Sequence, residues 1–456
     1  MNANKNRYQR EDEKRRRGKV CMVTYLPNPS LLPPMYNTAV SLSEEGFEVE
    51  VICVTNDANY ALGEEVQDTF TVHKLFSRSS KFFNDRYGLS PSSIFQASIQ
   101  YAFTYLEFNW KAAWTAFRSN ADVYEAHDLP ALFPTFLAAL LRRKPLVYRA
   151  HELYPEMHEK VKFAGLWKFL ERLLVPRARF VVTPDENRSM ILYRERGAKA
   201  IPLTVRNCPP YMSPTSGTTL RSLLHERGLN PRMIVLYQGL FDDSRCMREL
   251  IHAADHFNDG IYLVLVGGGF NEWAEPEKII GDSKRVVVLP RVSYSELNAY
   301  TSSADVGILF YRNNCRNNYY CAPNKVFEYM MMGLPVVTNN YPGISAIVEG
   351  GQIGYCVDSE NPKEIAAAVN KLADNPREYD AMKRNCLKLS ETTYNWEQEY
   401  KKLKTMYEQM MGRHSRPENV PQRRTTEENA PAVSSVLLLV VLFFVSTFSA
   451  HTIFMS

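Results

Sequence analysis

One short segment has the residue types needed to bind a phosphate group. Residues 322–333 read APNKVFEYMMMG, where Pro323 is typical of the first turn of a helix and Gly333 of the residue just after its end. The first backbone amides of such a helix have no partner within it, and the helix dipole makes that end positive. An anion is therefore expected at this end. The amides concerned belong to Asn324, Lys325 and Val326.

Two charged side chains extend this pattern from a phosphate towards a nucleotide. Lys325 adds a mobile positive charge to the first turn of the predicted helix. Glu328 follows one turn later, and its two carboxylate oxygens could accept hydrogen bonds from both hydroxyls of a ribose. A solvated glutamate on an ordinary helix is the alternative interpretation.

Two histidines end segments that are predicted to be successive strands. His127 and His151 are candidate site residues because Rossmann-type sheets bind ligands at the carboxyl ends of their strands. A histidine satisfied within the core is the alternative for each. Asp128 is predicted either to orient His127 or to cap the helix that begins at Leu129.

The elements that would position these residues alternate between strand and helix in both halves of the chain. The predicted strands of residues 19–206 are Lys19–Val23, Phe47–Val54, Ala121–Ala126, Pro145–Ala150 and Ala178–Thr183. A linker rich in Pro, Ser and Thr covers 207–219, residues 220–394 repeat the alternation, and 395–411 are predicted to form an amphipathic helix packing back across the junction. This α/β pattern predicts two Rossmann-like domains with parallel sheets that face a shared cleft.

The segment between residues 76 and 117 is unusually rich in aromatic side chains. Burial in the core is the favoured interpretation. An acceptor cleft and a membrane-facing patch are the alternatives.

Several segments together resemble the retaining glycosyltransferases of family 4, which have the GT-B fold. The most specific are residues 322–358, VLYQGLFDDSRCMRELIHAA (235–254), LVLVGGG (263–269), ELNAYTSSADVGILF (296–310) and YNWEQEYKKL (394–403). ADVYEAHDLPALFP (121–134) and LVYRAHELYPE (146–156) are moderately similar to the family's acceptor domain. The resemblance covers roughly residues 19–410.

By that resemblance, Glu328 matches the second Glu of the family's E-x7-E motif, which binds the nucleotide ribose. The first Glu, which grips the donor sugar, is replaced by Tyr320. Gly239 matches the glycine whose backbone approaches the pyrophosphate, and Arg245 matches a phosphate-binding basic residue. His127 resembles the family His that contacts the donor sugar, and His151, Asp128 and Tyr320 are further candidate contacts to sugar or acceptor. Two more departures are Leu240, where many members have Arg, and Cys246, where Gly is usual.

The resemblance implies an enzyme that moves a sugar from a UDP- or GDP-sugar to an acceptor hydroxyl with retention. The acceptor would be a saccharide or a lipid-linked molecule, and no cofactor is expected. No D-x-D motif occurs in the body of the chain, so His127, Arg245 and Lys325, rather than a metal, are the candidate catalytic residues. Two alternatives remain, a nucleotide-sugar 2-epimerase and a non-catalytic sugar-nucleotide-binding scaffold. The departures at Tyr320, Leu240 and Cys246 favour the scaffold.

The ends of the chain differ in composition from its body. The 456 residues carry a formal net charge of +4, but residues 1–18 form a strongly basic arm. The near-neutral body excludes a dedicated nucleic-acid-binding protein. Eight cysteines without a C-x-x-C pair or zinc spacing are expected to be free thiols of a reducing compartment.

A C-terminal membrane anchor is also predicted. Residues 412–431 have the composition of a polar linker, and 432–450 contain neither a charged residue nor a proline. A bilayer-spanning helix needs about 20 such residues. Arg423 and Arg424 precede the apolar stretch and no basic residue follows it, which predicts a catalytic body on the cytoplasmic face. A buried core helix is the alternative.

Overall fold

The first half of the chain forms one sheet of eight strands. The computed structural model describes residues 17–55, 63–66, 69–87, 94–157, 161, 163–214, 217–281 and 283–412. The strands are β1 (Lys19–Thr24), β2 (Glu48–Thr55), β3 (Gly63–Val66), β4 (Thr71–Phe76), β5 (Val123–His127), β6 (Leu146–Arg149), β7 (Phe180–Thr183) and β8 (Leu203–Thr204). Their order in the sheet is β3-β4-β2-β1-β5-β6-β7-β8.

All neighbouring strands of this sheet are parallel except the edge pair β3 and β4, which is antiparallel. The sequence does not predict this pair. Residues 67–70 join the two strands, and so short a connection cannot make the crossover that parallel strands require.

Among the described residues of this half, six helices accompany the first sheet. They are α1 (Pro33–Glu44), α2 (Arg78–Tyr87), α3 (Ile94–Ser119), α4 (Leu129–Arg142), α5 (Ala164–Leu174) and α6 (Glu186–Glu195). Helix α1 begins with two prolines in its first turn, where a missing N–H costs nothing. Short 3₁₀ turns occur at Pro29–Leu31, Tyr154–Glu156 and Val175–Arg177.

The second half of the chain forms a six-stranded sheet in which every pair of neighbours is parallel. Its strands are β9 (Met233–Phe241), β10 (Ile261–Gly269), β11 (Val286–Leu289), β12 (Val306–Leu309), β13 (Val336–Asn339) and β14 (Gly354–Val357), in the order β11-β10-β9-β12-β13-β14. The predicted pair of Rossmann-like domains is confirmed.

The helices of the second half follow the predicted alternation. They are α7 (Thr219–Glu226), α8 (Met247–Ala254), α9 (Glu277–Ile280), α10 (Tyr294–Ser302), α11 (Arg316–Tyr319), α12 (Asn324–Met331), α13 (Pro342–Val348), α14 (Pro362–Asp374), α15 (Pro376–Thr392) and α16 (Trp396–Met410). Two 3₁₀ turns lie at Asp243–Arg245 and Asn271–Ala274. Helix α15 is not predicted, since its sequence is polar and only three of its residues are buried.

Helix α16 returns the chain to the first domain. Its buried face packs into the same core as β1 and β2, and Leu403 is 0% exposed there. The indole Nε1 of Trp396 donates to Oγ of Ser41 at 2.8 Å. Asn395 caps the helix by accepting from the backbone N–H of Gln398 at 2.9 Å. The second domain therefore lies, in chain order, within the first.

The predicted terminal segments mostly fall outside the described residues. Residues 1–16 of the basic arm, 413–431 of the predicted linker and the predicted membrane helix at 432–450 are among these. Within the described ranges, no helix has both the length and the apolar character that crossing a bilayer requires. All eight cysteines are free, as expected.

The contact made by α16 predicts a large cost for truncating its buried face. Leu403→Ala should lower the free energy of unfolding by about 2–5 kcal/mol, because it removes a fully buried side chain and leaves a cavity. Gln409→Ala, on the exposed side of the same helix, should stay within about 0.5 kcal/mol of the parent. Urea unfolding followed by circular dichroism measures both. Equal costs for the two variants would contradict the packing of α16.

Candidate active site

A cavity of about 390 Å³ lies between the two domains. Pro33, Glu152 and Arg188 line it from the first domain, and Asn207 lines it from the connecting segment. The second domain contributes Gln238, Gly239, Arg245, Leu297, Tyr311, Asn317, Asn318, Cys321, Ala322, Pro323, Asn324, Lys325 and Glu328. The structure thus brings together five residues that the sequence predicts for donor binding, namely Gly239, Arg245, Asn324, Lys325 and Glu328.

Gly239, near the end of β9, leaves room for the Lys325 side chain. Its φ is +136°, a backbone conformation that favours glycine. A Cβ atom at this position would lie 2.6 Å from Cε of Lys325 and 2.9 Å from Nζ. The ammonium group therefore lies directly against the Gly239 backbone, and a larger residue would displace it.

Arg245 supplies a second positive charge to the cavity. Its guanidinium carbon lies 4.2 Å from the ring centroid of Tyr311. Its Nη1 is buried and has no hydrogen-bond partner in the described part of the chain. Burial lowers the pKa of Lys325, and the charge of Arg245 lowers it further, against the opposing effect of Glu328. Three cationic side chains, Arg188, Arg245 and Lys325, line the cavity against the two carboxylates of Glu152 and Glu328, so an anionic ligand would balance the charge.

Helix α12 directs its N-terminus into the same cavity. Pro323 is the N-cap residue, one position earlier than the first helical turn predicted for it, and it makes no side-chain cap. The first amides are therefore left without a side-chain acceptor. Asn324 and Lys325 line the cavity, whereas the Val326 side chain is 1% exposed and packs in the core, so only its backbone amide is a candidate contact.

Glu328 is held in place by residues that the sequence does not single out. Nε2 of Gln238 donates to Oε2 of Glu328 at 2.7 Å, and Oε1 of Gln238 accepts from the Thr301 hydroxyl at 2.8 Å. Oε1 of Glu328 has no hydrogen-bond partner among the described residues. Burial raises the pKa of Glu328. This carboxylate is thus oriented at one oxygen, and the other oxygen is left for a ligand.

The three departures from the family pattern have different structural settings. Cys246 has φ +51°, which is a left-handed backbone conformation. Glycine adopts this conformation most easily, which explains why the family usually has Gly there. The Cys246 side chain is fully buried. Leu240 is 44% exposed and does not line the cavity. Tyr320 does not line it either, although its backbone carbonyl accepts from Nε of Arg188 at 2.6 Å. Neither Leu240 nor Tyr320 therefore places its side chain where it could replace the charged side chain of its family counterpart.

The two histidines form a pair behind the cavity wall. Nδ1 of His127 lies 3.0 Å from Nε2 of His151, and their rings are stacked. The His127 side chain is 0% exposed, and neither residue lines the cavity. Burial lowers the pKa of both well below the usual value. A neutral pair shares one proton between the two nitrogens. The contact of His127 with a donor sugar stays a prediction.

Asp128 makes neither of its two predicted local contacts, with His127 or with the first turn of α4, and its contact with sugar or acceptor stays a prediction. It occupies the N-cap position of α4 with φ +63° but makes no side-chain cap. Its Oδ1 instead accepts from the backbone N–H of His151 at 2.8 Å and of Glu152 at 3.2 Å. The carboxylate turns towards the loop after β6 because two backbone donors there would otherwise be unsatisfied. Burial, together with the negative charge of Glu152, raises the pKa of Asp128 to about 7.

Arg188 connects the two domains at the cavity and was not predicted. It belongs to α6 and is 3% exposed. Its Nε and Nη2 donate to the carbonyls of Tyr320 and Asn317, at 2.6 and 3.2 Å, and it also donates to the carbonyl of His151. Nη2 lies 3.2 Å from Oε2 of Glu152. These partners are far apart in sequence, and no local pattern marks the residue.

Metal ligands do not cluster in the part of the chain that the structure describes. No group of three or more His, Cys, Asp or Glu side chains there is arranged to hold a metal ion. The charged side chains that line the cavity are Glu152, Arg188, Arg245, Lys325 and Glu328.

Two parallel-sheet domains that face a cleft, with cations and a helix N-terminus on one side of it, define the GT-B class of fold. The model of "Glycosyltransferase Family 4" matches residues 35–206, and that of "Glycosyl transferases group 1" matches residues 232–375. The chain belongs to the family 4 type of glycosyltransferase.

The chain is also similar to individual proteins in sequence or in fold. The chain is 30% identical to spore coat protein SA of Bacillus subtilis (strain 168) over 193 residues, which are 40% of this chain and 50% of that protein. It spans about half the length of the curated relatives it matches. Sucrose-phosphate synthase from Thermosynechococcus elongatus has a similar structure, with a TM-score of 0.69, 17% identity, and coverage of 86% of this chain and 99% of that one. Anabaena Alr3699/HepE in complex with UDP and glucose has a TM-score of 0.62 and 16% identity, with coverage of 87% and 100%.

The environment of Asp128 predicts an unusual effect of pH on stability. Its pKa of about 7 in the folded protein exceeds the ordinary value of 3.8, so its contribution to stability is complete below pH 3.8 and is lost as the pH rises to about 7. Asp128→Asn keeps the accepting oxygen but cannot ionise. This variant should match the parent in thermal stability near pH 4 and exceed it at pH 8. A parent more stable than the variant at pH 8 would contradict the raised pKa.

Proposed function

We propose that the protein transfers a sugar from a UDP- or GDP-sugar to an acceptor hydroxyl, with retention at the anomeric carbon. The observation that carries this proposal is the convergence of Glu328, Lys325 and Arg245 in one cavity. A diphosphate fits two partly buried cations and a helix N-terminus, and a ribose fits a carboxylate with one free oxygen. Membership of family 4 supports the same reaction.

In this proposal the leaving diphosphate is stabilised by groups that are already in place. Negative charge grows on it as the glycosidic bond breaks, and it would lie against Lys325, Arg245 and the first amides of α12. The acceptor attacks from the face that the diphosphate leaves, and a phosphate oxygen of the donor takes the acceptor's proton. This path requires no catalytic carboxylate. Since both cations come from the protein, we propose that the reaction needs no metal ion.

A non-catalytic sugar-nucleotide-binding protein is the second candidate. The departures at Tyr320, Leu240 and Cys246 favour it, because the side chains that replace the usual contacts do not enter the cavity. Nucleotide-sugar binding without transfer to any acceptor would support this candidate. Interconversion of free nucleotide sugars would instead indicate the 2-epimerase.

We further propose a saccharide or lipid-linked acceptor and a body attached to the cytoplasmic face of a membrane through residues 432–450. The uncharged composition of that segment supports the attachment. Deleting residues 414–456 should move the protein from the membrane fraction to the soluble fraction, while donor binding is unchanged. Fractionation of cells expressing both forms checks this, and a full-length protein found only in the soluble fraction would contradict the anchor.

The ribose site predicts a specific loss of donor affinity. A thermal-shift screen of UDP- and GDP-sugars should first identify the donor, since a ligand stabilises the state that binds it. Glu328→Ala should then weaken donor binding by about tenfold to a hundredfold, the equivalent of losing a hydrogen bond to a charged group. Glu328→Gln should fall between parent and Ala, and Glu349→Ala, at an exposed position, should bind like the parent. Parent-like binding by Glu328→Ala would refute the ribose assignment.

The diphosphate site predicts a loss of turnover instead. Arg245→Ala should lower kcat about 10²–10³-fold, with a smaller effect on donor KM, because the charge it meets develops in the transition state. Arg248→Ala, on the adjacent helix and partly exposed, is the matched control and should keep kcat within about twofold. A metal chelator added to the parent should leave the rate unchanged. Loss of activity with chelator, or equal effects of the two arginine variants, would contradict this mechanism.

A further inference from the structure

One side of helix α3 exposes large apolar side chains. Leu106, Trp110 and Trp114 recur every four residues and are 40, 74 and 54% exposed. The opposite side of the same helix is core, with Tyr105 and Phe108 only 3 and 1% exposed. The sequence favours burial of the aromatic segment 76–117 in the core. This prediction holds for one side of α3 and fails for the other. Two exposed tryptophans one turn apart are costly to leave in water.

Exposed cations lie where this row ends. The guanidinium of Arg142, near the end of α4, lies 3.9 Å from the ring centroid of Phe117, and its Nε donates to the Phe117 carbonyl at 2.7 Å. This contact brings the ends of α3 and α4 together. Arg118 and Arg143 are exposed on either side of it, and Leu141 is 67% exposed. We define the docking face as Leu106, Trp110, Trp114, Arg118, Leu141 and Arg143.

Both ends of the described chain meet beside the same helix ends. A Cβ atom on Gly18 would lie 2.6 Å from Sδ of Met411 and 3.4 Å from Oδ2 of Asp122. Oδ1 of Asp122 accepts from Nζ of Lys144, just after α4, at 2.9 Å. The residues before Gly18 are strongly basic, and an uncharged apolar stretch, 432–450, follows Met411 in the sequence. The chain thus joins the docking face to two segments whose compositions suit a lipid surface.

We propose that the docking face lies on a bilayer that contains anionic lipid. Tryptophan rings prefer the boundary between headgroups and acyl chains, and arginines beside them attract lipid phosphates. A protein partner would also accept tryptophan and arginine. Lipid is favoured by the basic sequence before Gly18 and by the apolar sequence 432–450, which is joined to Met411 through residues 412–431. The proposal goes beyond sugar transfer, because it assigns a surface and an orientation to the first domain.

Tryptophan quenching on the full-length protein tests the docking face directly. The chain has five tryptophans, and Trp167, Trp273 and Trp396 are only 3, 3 and 5% exposed. Brominated acyl chains quench only tryptophans that reach the bilayer, so the assay reports Trp110 and Trp114 even if another segment also inserts. With vesicles of phosphatidylcholine containing about one quarter phosphatidylglycerol, we expect quenching in the parent and none in Trp110→Phe/Trp114→Phe. Phe270→Ser, an exposed aromatic of the second domain, should be quenched like the parent.

Charge reversal tests the electrostatic part of the proposal. Arg118→Glu/Arg143→Glu should weaken binding to the same vesicles at least about tenfold at low salt, and should not change binding to pure phosphatidylcholine. Arg377→Glu/Arg384→Glu, on exposed positions of α15, is the matched control and should bind more tightly than the first pair. Stabilisation by a nucleotide sugar should be equal in all variants, which separates failure of the docking face from failure of the donor site.

Three outcomes would overturn the proposal. The first is a protein that floats with vesicles but shows the same quenching in the parent and in Trp110→Phe/Trp114→Phe. The second is equal loss of vesicle binding in the two charge-reversed pairs. The third is concentration-dependent dimerisation without lipid that shields Trp110 from an aqueous quencher, which would make the face a contact between two copies of this chain.

Discussion

Two partly buried cations with a carboxylate beside them are the constraint on which the site depends. Arg245 and Lys325 lie in the same cavity, and Nη1 of Arg245 is buried without a partner among the described residues. Buried positive charge of this kind is costly, so the fold has to hold it in place. Tyr311 does this through the face of its ring, and Gly239 through the space that its missing side chain leaves. A diphosphate entering the cavity finds these charges already oriented.

The arrangement also requires the two domains to keep their relative positions across the cavity. Arg188 provides this link, because a side chain of the first domain donates to the backbone of the second at Tyr320 and Asn317. Leu153 adds a further bond across the same boundary, its N–H donating to Oδ1 of Asn317 at 2.8 Å. Arg188 bonds to the backbone carbonyls of Tyr320 and Asn317, not to their side chains. These bonds therefore depend on the positions of α6 and α11 more than on which residue occupies position 320.

The sequence predicts those parts of the fold and site that a local pattern encodes. Helix α12 lies within one residue of its predicted bounds, because a proline and a glycine mark its two ends. The site at its N-terminus could be predicted for the same reason. The roles of Gln238 and Arg188 could not, since their partners lie far away in the sequence and are adjacent only after folding.

Other features could not be predicted because contacts between distant parts of the chain, and not the local sequence, determine where a side chain lies. Asp128 occupies a position typical of a helix cap. Its carboxylate instead accepts hydrogen bonds from two backbone N–H groups in the loop after β6. His127 ends a strand as predicted, yet its ring pairs with His151 inside the domain. Large aromatic residues occur on both sides of α3, and the packing of the helix in the domain determines which of them are buried.

The return of α16 to the first domain has a mechanical consequence. Arg17 and Met411 both leave the body from that domain, so the second domain is connected only through the segment before α7 and the short turn before α16. Any load or tether at either end of the chain acts on the first domain alone. A rotation of the second domain about these two connections would break the bonds of Arg188 to Tyr320 and Asn317, but it would leave Arg17 and Met411 in place on the first domain.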